Sequence, residues 1–157
     1  MESKDNETLK DKITGMKRTY PSIQSVLMPA LYAVEQSYGW LSQDAIQEVS
    51  NHTGVPAAEI KGVATFYSMY RHEPMGRHLV QLCTNVSCLI AGVEDLVKFL
   101  DKKYGLLPGG TTKDGRLSLC LMECIGACGN PPAMLVDGDA YDNLTCEAIE
   151  QILEKYE

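Results

Sequence analysis

Two pairs of cysteines carry the chemistry this chain offers. Cys83-Thr84-Asn85-Val86-Ser87-Cys88 and Glu123-Cys124-Ile125-Gly126-Ala127-Cys128-Gly129-Asn130-Pro131-Pro132 hold four of the six cysteines, in the pattern C-x4-C, 35 residues, C-x3-C. Each stretch follows a short apolar run that reads as a strand. Each pair is therefore expected on a loop at a strand end, and two such loops meeting would make a four-thiolate pocket. Gly126, Gly129 and Asn130 tolerate positive φ, which lets the chain turn tightly and aim N–H groups at sulfur.

Three chemistries use such thiols. Disulfides are the plainest, but Met1-Glu2-Ser3-Lys4-Asp5-Asn6-Glu7 has no apolar signal core and is too acidic for a transit peptide. The protein is expected to be cytoplasmic, where ordinary thiols stay reduced. Structural zinc accepts four thiolates, yet zinc knuckles are tight and only the C-x3-C half looks like one. An iron–sulfur cluster suits both loops, and the spacing favours it while leaving zinc open. Ferredoxins of the plant type place three cysteines in one C-x4-C-x2-C loop, which this chain lacks.

The elements that must position these loops can be read from periodicity. Residues 1 to about 20 are charged, a loose arm ending in a short helix from Leu9 to Met16. Ile23, Val26, Leu27, Ala30, Leu31, Val34 and Tyr38 recur at helical spacing. Pro29 is expected to kink or divide that helix. Gly39-Trp40-Leu41 breaks the chain, Ser42 caps a helix that Gly54 ends, and Pro56 opens another running toward Gly62-Val63-Ala64-Thr65-Phe66-Tyr67.

Periodicity changes at His72-Glu73-Pro74-Met75-Gly76, so residues 1–74 are expected to form a small helical domain and 75–157 a second domain. There His78 to Leu82 alternates as a strand. Val93, Leu96, Val97, Leu100 and Tyr104 mark a helix, and Leu117, Leu119 and Leu121 a second strand, parallel to the first. Asp137-Gly138 between apolar runs signals a hairpin, and Thr145 caps a last helix. The fold class is α+β: a helical bundle followed by a β-α-β-β-β-α unit.

Composition excludes several functions. The 157 residues carry 14 Lys and Arg against 21 Asp and Glu, a net charge of −7, which argues against binding nucleic acid or an anionic membrane surface. No apolar run approaches the roughly 20 residues that insertion in a bilayer requires. Gly105-Leu106-Leu107-Pro108-Gly109-Gly110 does not fit a dinucleotide loop, and no Walker sequence occurs. The chain therefore offers no site for NADH or a flavin.

Taken together, the Gly39-Trp40-Leu41 helical segment, Gly62-Val63-Ala64-Thr65-Phe66-Tyr67, the C-x4-C pair, Glu123-Cys124-Ile125-Gly126-Ala127-Cys128 and the Asp137-Gly138 hairpin resemble one family. It is the thioredoxin-like [2Fe-2S] subunit of NADH:quinone oxidoreductase, respiratory complex I, the NuoE family. The resemblance spans about residues 20 to 155. It implies a thioredoxin-like ferredoxin domain in which Cys83, Cys88, Cys124 and Cys128 ligate one [2Fe-2S] cluster. It also implies a place in a larger multi-subunit complex, beside a flavoprotein subunit that binds NADH and FMN, peripheral on the inner face of the membrane. The cluster would relay single electrons, with no complete active site on this chain. The equivalent subunit of an NAD(P)-linked hydrogenase is the alternative within this chemistry, and a zinc-stabilised interaction module the alternative outside it.

The other reactive side chains have plainer readings. Cys120 and Cys146 fall outside the ligand pattern and are expected to be buried small apolar residues. His52, His72 and His78 read as surface or satisfied histidines. Phe66, Tyr67 and Tyr70 are expected in a core. Arg71, His72, Arg77 and His78 are solvated loop residues or help to orient a partner near the cluster.

Overall fold

The computed structural model describes residues 8–157; residues 1–7, the start of the expected arm, lie outside the described residues. The chain falls into two compact units, one up to Pro74 and one comprising Met75–Glu157.

The first unit is helical. Thr8 and Asp11 form a reciprocal capping box that starts α1 (Leu9–Thr19). The helix outlasts the expected Met16 and stops before Pro21, which holds Tyr20 extended. In α2 (Ile23–Tyr38), Ser22 accepts the Ser25 N–H at one end and Gly39 takes φ of 81° at the other. Pro29 lies inside α2 and does not divide it, because packing of Val26, Leu27, Ala30, Leu31 and Val34 outweighs one lost hydrogen bond. Ser42 and Gly54 bound α3 (Gln43–Thr53), and Pro56 is the N-cap of α4 (Ala57–Phe66).

One expectation fails in this unit. Ile60 and Ala64 turn the inner face of α4 to the core, and Phe66, two residues on from Ala64, points to the opposite side. Phe66 is 80% exposed and Tyr67 37%, with only Tyr70 buried. The three rings form an edge-on series leading from the core to the surface, with centroids 5.0 and 6.5 Å apart.

The second unit is built on a four-stranded mixed sheet in the order β2-β1-β3-β4. Strand β1 (His78–Cys83) is followed by α5 (Val86–Ile90) and α6 (Val93–Tyr104), then β2 (Leu117–Met122), β3 (Met134–Val136), β4 (Asp139–Tyr141) and α7 (Cys146–Leu153). Helix α5 is an addition to the expected order: the first cysteine stretch is a turn of helix capped by Asn85, not a loop. The parallel register of β1 and β2 runs from His78 opposite Leu117 to Cys83 opposite Met122. Asp137 and Gly138 take φ of 52° and 98°, the left-handed pair that a two-residue hairpin between β3 and β4 requires. Val80, Leu82, Leu96, Leu100, Leu117, Leu119, Met134, Ile149 and Leu153 make the core.

At the far end of β1 from Cys83, His78 is tied on both ring nitrogens. Nδ1 meets Asp137 Oδ2 at 2.6 Å and Nε2 the Glu157 carbonyl at 3.0 Å. Both partners only accept, so both bonds form only when the ring is protonated. The Asp137 hydrogen bond is the largest influence, and the His78 pKa stands above its ordinary 6.5. Because the folded value is the higher one, the stabilisation is complete below about pH 6.5 and is lost as the pH rises through the folded pKa. The difference in melting temperature between the protein and its His78→Gln variant is therefore expected to be larger at pH 6 than at pH 9, and an unchanged difference would refute it.

Candidate metal centre

Parallel pairing is what gathers the thiols. Because β1 and β2 run the same way, their ends lie side by side, and the chain leaving each carries a cysteine pair. Cys83 is the last residue of β1. The Thr84 N–H donates to the Met122 carbonyl at 2.9 Å, joining the two exits, and the Cys83 N–H donates to the Ala133 carbonyl at 3.0 Å. Three segments thus meet at Cys83: the end of β1, the end of β2, and the chain returning through the cis Pro131–Pro132 bond.

The two pairs differ in burial. Cys83 and Cys88 are each 2% exposed, on the core side, whereas Cys124 and Cys128 are exposed. Asn85 holds the first pair: its side chain accepts the Val86 N–H at 2.9 Å and its carbonyl the Leu89 N–H at 2.8 Å, which turns Cys88 back toward Cys83. An Asn two residues past a strand is a helix-start signal, and the sequence reading passed over it.

The second pair sits on a loop shaped by Gly126. At φ of 82° this residue donates its N–H to Cys124 Sγ at 3.4 Å. Gly129 and Asn130 do not use the positive φ open to them. Asn130 instead braces the loop, its Nδ2 donating to Asp142 at 3.2 Å and its carbonyl accepting the Asn143 N–H at 2.8 Å.

Each of the four thiols influences at least one of the others. Burial pushes the Cys83 thiol up, but the backbone N–H groups of Asn85 and Ile125, with Cys88 and Cys124 beside it, carry it below its ordinary value. Burial and then Cys83 push Cys88 up against the Ala133 N–H. Cys124 raises Cys128, while the Ser87 hydroxyl favours its thiolate. Among the described residues no three His, Cys, Asp or Glu side chains close on a single point as ligands of one ion. The four thiols form a wider set, with N–H groups facing several of the sulfurs and no histidine or carboxylate among them.

That donor set fits a [2Fe-2S] core, which takes four thiolates, two on each iron, and gains from N–H donors that offset the sulfur charge. Cys83, Cys88, Cys124 and Cys128 are the residues that would hold it.

The remaining candidates lie elsewhere. Cys120 on β2 and Cys146 in the first turn of α7 are half-buried, not fully buried as expected. On β2, position 120 falls on the face that Leu117 and Leu119 leave, and that face is only partly covered. His78 begins β1 and Arg77 precedes it, about 16 Å or more from the cysteine end at roughly 3.3 Å per residue, so they do not flank the thiols. His52 pairs with Glu48 within α3 at 2.9 Å. Glu123 is exposed, as a solvated strand end would be. Val86 (62%) and Ile90 (83%), each two residues from Cys88 in the chain, are exposed apolar side chains that the sequence reading did not single out, and Leu121, expected to alternate with Leu117 and Leu119 on β2, is 39% exposed where those two are buried.

Comparison with known proteins bears on the same residues. A family model described as thioredoxin-like [2Fe-2S] ferredoxin matches residues 13–157. The chain is 37% identical over 147 residues to an NADH-quinone oxidoreductase subunit, the one lettered E, of Salmonella typhimurium, covering 94% of this chain and 89% of that protein. To its namesake in Escherichia coli strain K12 it is 39% identical over 137 residues, covering 87% and 82%. To that of Pseudomonas aeruginosa it is 33% identical over 151 residues, covering 96% and 91%. Among solved structures, a chain of an NAD+-reducing [NiFe]-hydrogenase in the H2-reduced state superposes with a TM-score of 0.70 at 29% identity, over 80% of this chain but 22% of that one. Among the described residues no helix is long and apolar enough to cross a membrane.

Proposed function

The chain belongs to the thioredoxin-like [2Fe-2S] ferredoxin family, and from that premise we propose that it is the electron-transfer subunit of an NADH-oxidising complex, carrying one [2Fe-2S] cluster on Cys83, Cys88, Cys124 and Cys128. The observation that carries this reading is that the paired ends of β1 and β2 bring two cysteine pairs together, each thiol influencing at least one of the others. Residues 75–157 are then the cluster-bearing unit. The reading also places the chain in a multi-subunit assembly, held at the inner membrane face through its neighbours.

When bound, the cluster supplies a one-electron couple and nothing more. The rest falls to the chain. Cys83 and Cys88 anchor the inner side, against a core that excludes water. The N–H groups of Asn85, Ile125, Gly126 and Ala133 face sulfur and stabilise the charge an added electron brings. Cys124 and Cys128 leave the outer side open, so electrons pass to a partner from that face. NADH gives up two electrons as a hydride, and this chain is read as having no site that would divide them; a partner subunit with NADH and FMN is expected to do so.

The hydrogenase superposition favours a second assignment of the same module, to an NAD(P)-linked hydrogenase. In that protein the matching region is 22% of a longer chain. The chemistry on this chain would be the same, and copurification from the native host distinguishes the two assemblies.

One experiment tests the shared chemistry. The purified chain is expected to contain two irons and two acid-labile sulfides on its four thiols. It should stay oxidised when mixed anaerobically with NADH and be bleached once a flavin subunit is added. Stoichiometric zinc without sulfide would sink the cluster. Bleaching by NADH in a preparation free of flavin would reveal a hydride-accepting site on this chain.

A further inference from the structure

The chain joining the two units is fastened at both ends and free between them. On the first unit's side, the Tyr70 hydroxyl donates to the Met28 carbonyl at 3.0 Å. The Arg71 N–H donates to Glu35 Oε1, and the Arg71 carbonyl accepts the Leu41 N–H at 2.7 Å. On the second unit's side, the Gly76 N–H donates to Ser118 Oγ at 2.7 Å. The next two N–H groups, of Arg77 and His78, reach the Gly115 and Arg116 carbonyls at 3.0 and 2.9 Å. A Cβ on Gly76 would stand 3.0 Å from both of those carbonyl oxygens, so only glycine lies this close.

Burial shows how much the fold commits to these two anchors. Among the described residues four polar side chains are buried, Glu35, Thr53, Thr112 and Ser118, and two of them hold the ends of the connection. A buried carboxylate or hydroxyl is costly unless it is hydrogen-bonded, and both are satisfied here by a backbone N–H of the joint. Residues 72–75 are the reverse. All four are exposed and make no hydrogen bond among the described residues.

The geometry assigns residues 72–75 as a hinge, its length set by Glu35 at one end and by Gly76 with Ser118 at the other. Four residues span at most about 14 Å. Pro74 fixes its own φ and confines Glu73 to the extended region, so the joint swivels mainly about the bonds of His72 and Met75, with Glu73 moving within that region. In the electron-transfer reading above, on which this use rests, the hinge lets the cluster-bearing unit re-aim without moving a ligand. The hinge itself does not depend on what the thiols hold.

Backbone 15N relaxation on the full chain tests it. The amides of His72, Glu73 and Met75 are expected to show order parameters below about 0.6, with Arg71 and Gly76 near about 0.85. Glu35→Ala should carry the loosening back to Arg71 and leave Gly76 firm, and Ser118→Ala should do the reverse. Uniformly high order across 71–76 in the unsubstituted protein would overturn the hinge whether or not the variants fold. A Glu35→Ala protein whose Arg71 amide stays rigid would overturn the role of Glu35. The same measurement made with and without iron keeps failure of the hinge distinct from failure of the cluster.

Discussion

Serine in place of Cys83 or Cys88 is expected to abolish the visible absorption of the loaded protein, while alanine in place of Cys120 or Cys146 leaves it intact. The reason is burial as much as ligand chemistry. Cys83 and Cys88 are each 2% exposed, so no water or neighbouring side chain is at hand to replace a lost sulfur. A serine hydroxyl is also a far weaker iron ligand than a thiolate and resists deprotonation. Serine at Cys124 or Cys128, both exposed, is expected to disturb the spectrum and weaken retention, because solvent can enter the vacated position. Cys120 and Cys146 are half-buried and fall outside the two cysteine pairs, so their loss removes only modest packing. Iron and sulfide analysis with EPR of the reduced protein reads the outcome. A colourless Cys120→Ala variant would show that the ligand assignment is wrong.

Leu82→Ala is expected to cost the second unit about 2–5 kcal/mol, the range for a leucine removed from a well-packed core. Leu82 is fully buried in the middle of the sheet, paired with Leu121 on one side and Met134 on the other, and it directly precedes Cys83. Strand β1 is hydrogen-bonded to both neighbours, so it cannot shift to fill the space without breaking a ladder. For a unit of this size the melting temperature should fall by roughly 10 °C or more. Loss of cluster absorbance on heating should move with it, since the strand that ends in Cys83 is the one weakened. A fall of under about 1 kcal/mol in urea unfolding, followed through that absorbance, would show that the core repacks around the gap.

Much of this arrangement was legible in the residues because it is local. Helix caps at Ser42 and Thr145, the stops at Gly39 and Gly54, and the Asp137-Gly138 turn each depend on one side chain and the backbone beside it, and each forms where expected. Helical and alternating periodicity likewise report which face meets a core, and they placed β1, β2, α6 and α7. The local rules failed where two preferences compete. Pro29 disfavours a helix that the packing of its inner face nonetheless holds together, and the aromatic residues Phe66 and Tyr67 lie past the inner face of α4 despite their hydrophobicity. In the stretch after β1, four residues between two cysteines suggested a loop, and the Asn85 cap made a helical turn of it.

The residues alone thus established the donor set and the kinds of element around it: four thiols in two pairs, each after a strand, on an acidic chain whose resemblance pointed to the thioredoxin-like [2Fe-2S] family. Folding settled which thiols are buried and which stand open, that Gly126 rather than Gly129 or Asn130 turns an N–H to sulfur, and that Arg77 and His78 lie at the opposite end of β1 from the site. It also settled that the connection between the units is tied at residues 71 and 76 by Glu35 and Ser118. The cause of this division is separation along the chain. Spacing and propensity act over a few residues, whereas Cys83 meets Ala133, Arg71 meets Glu35 and Gly76 meets Ser118 only after parallel pairing and core packing have closed long loops, and no local pattern encodes those distances.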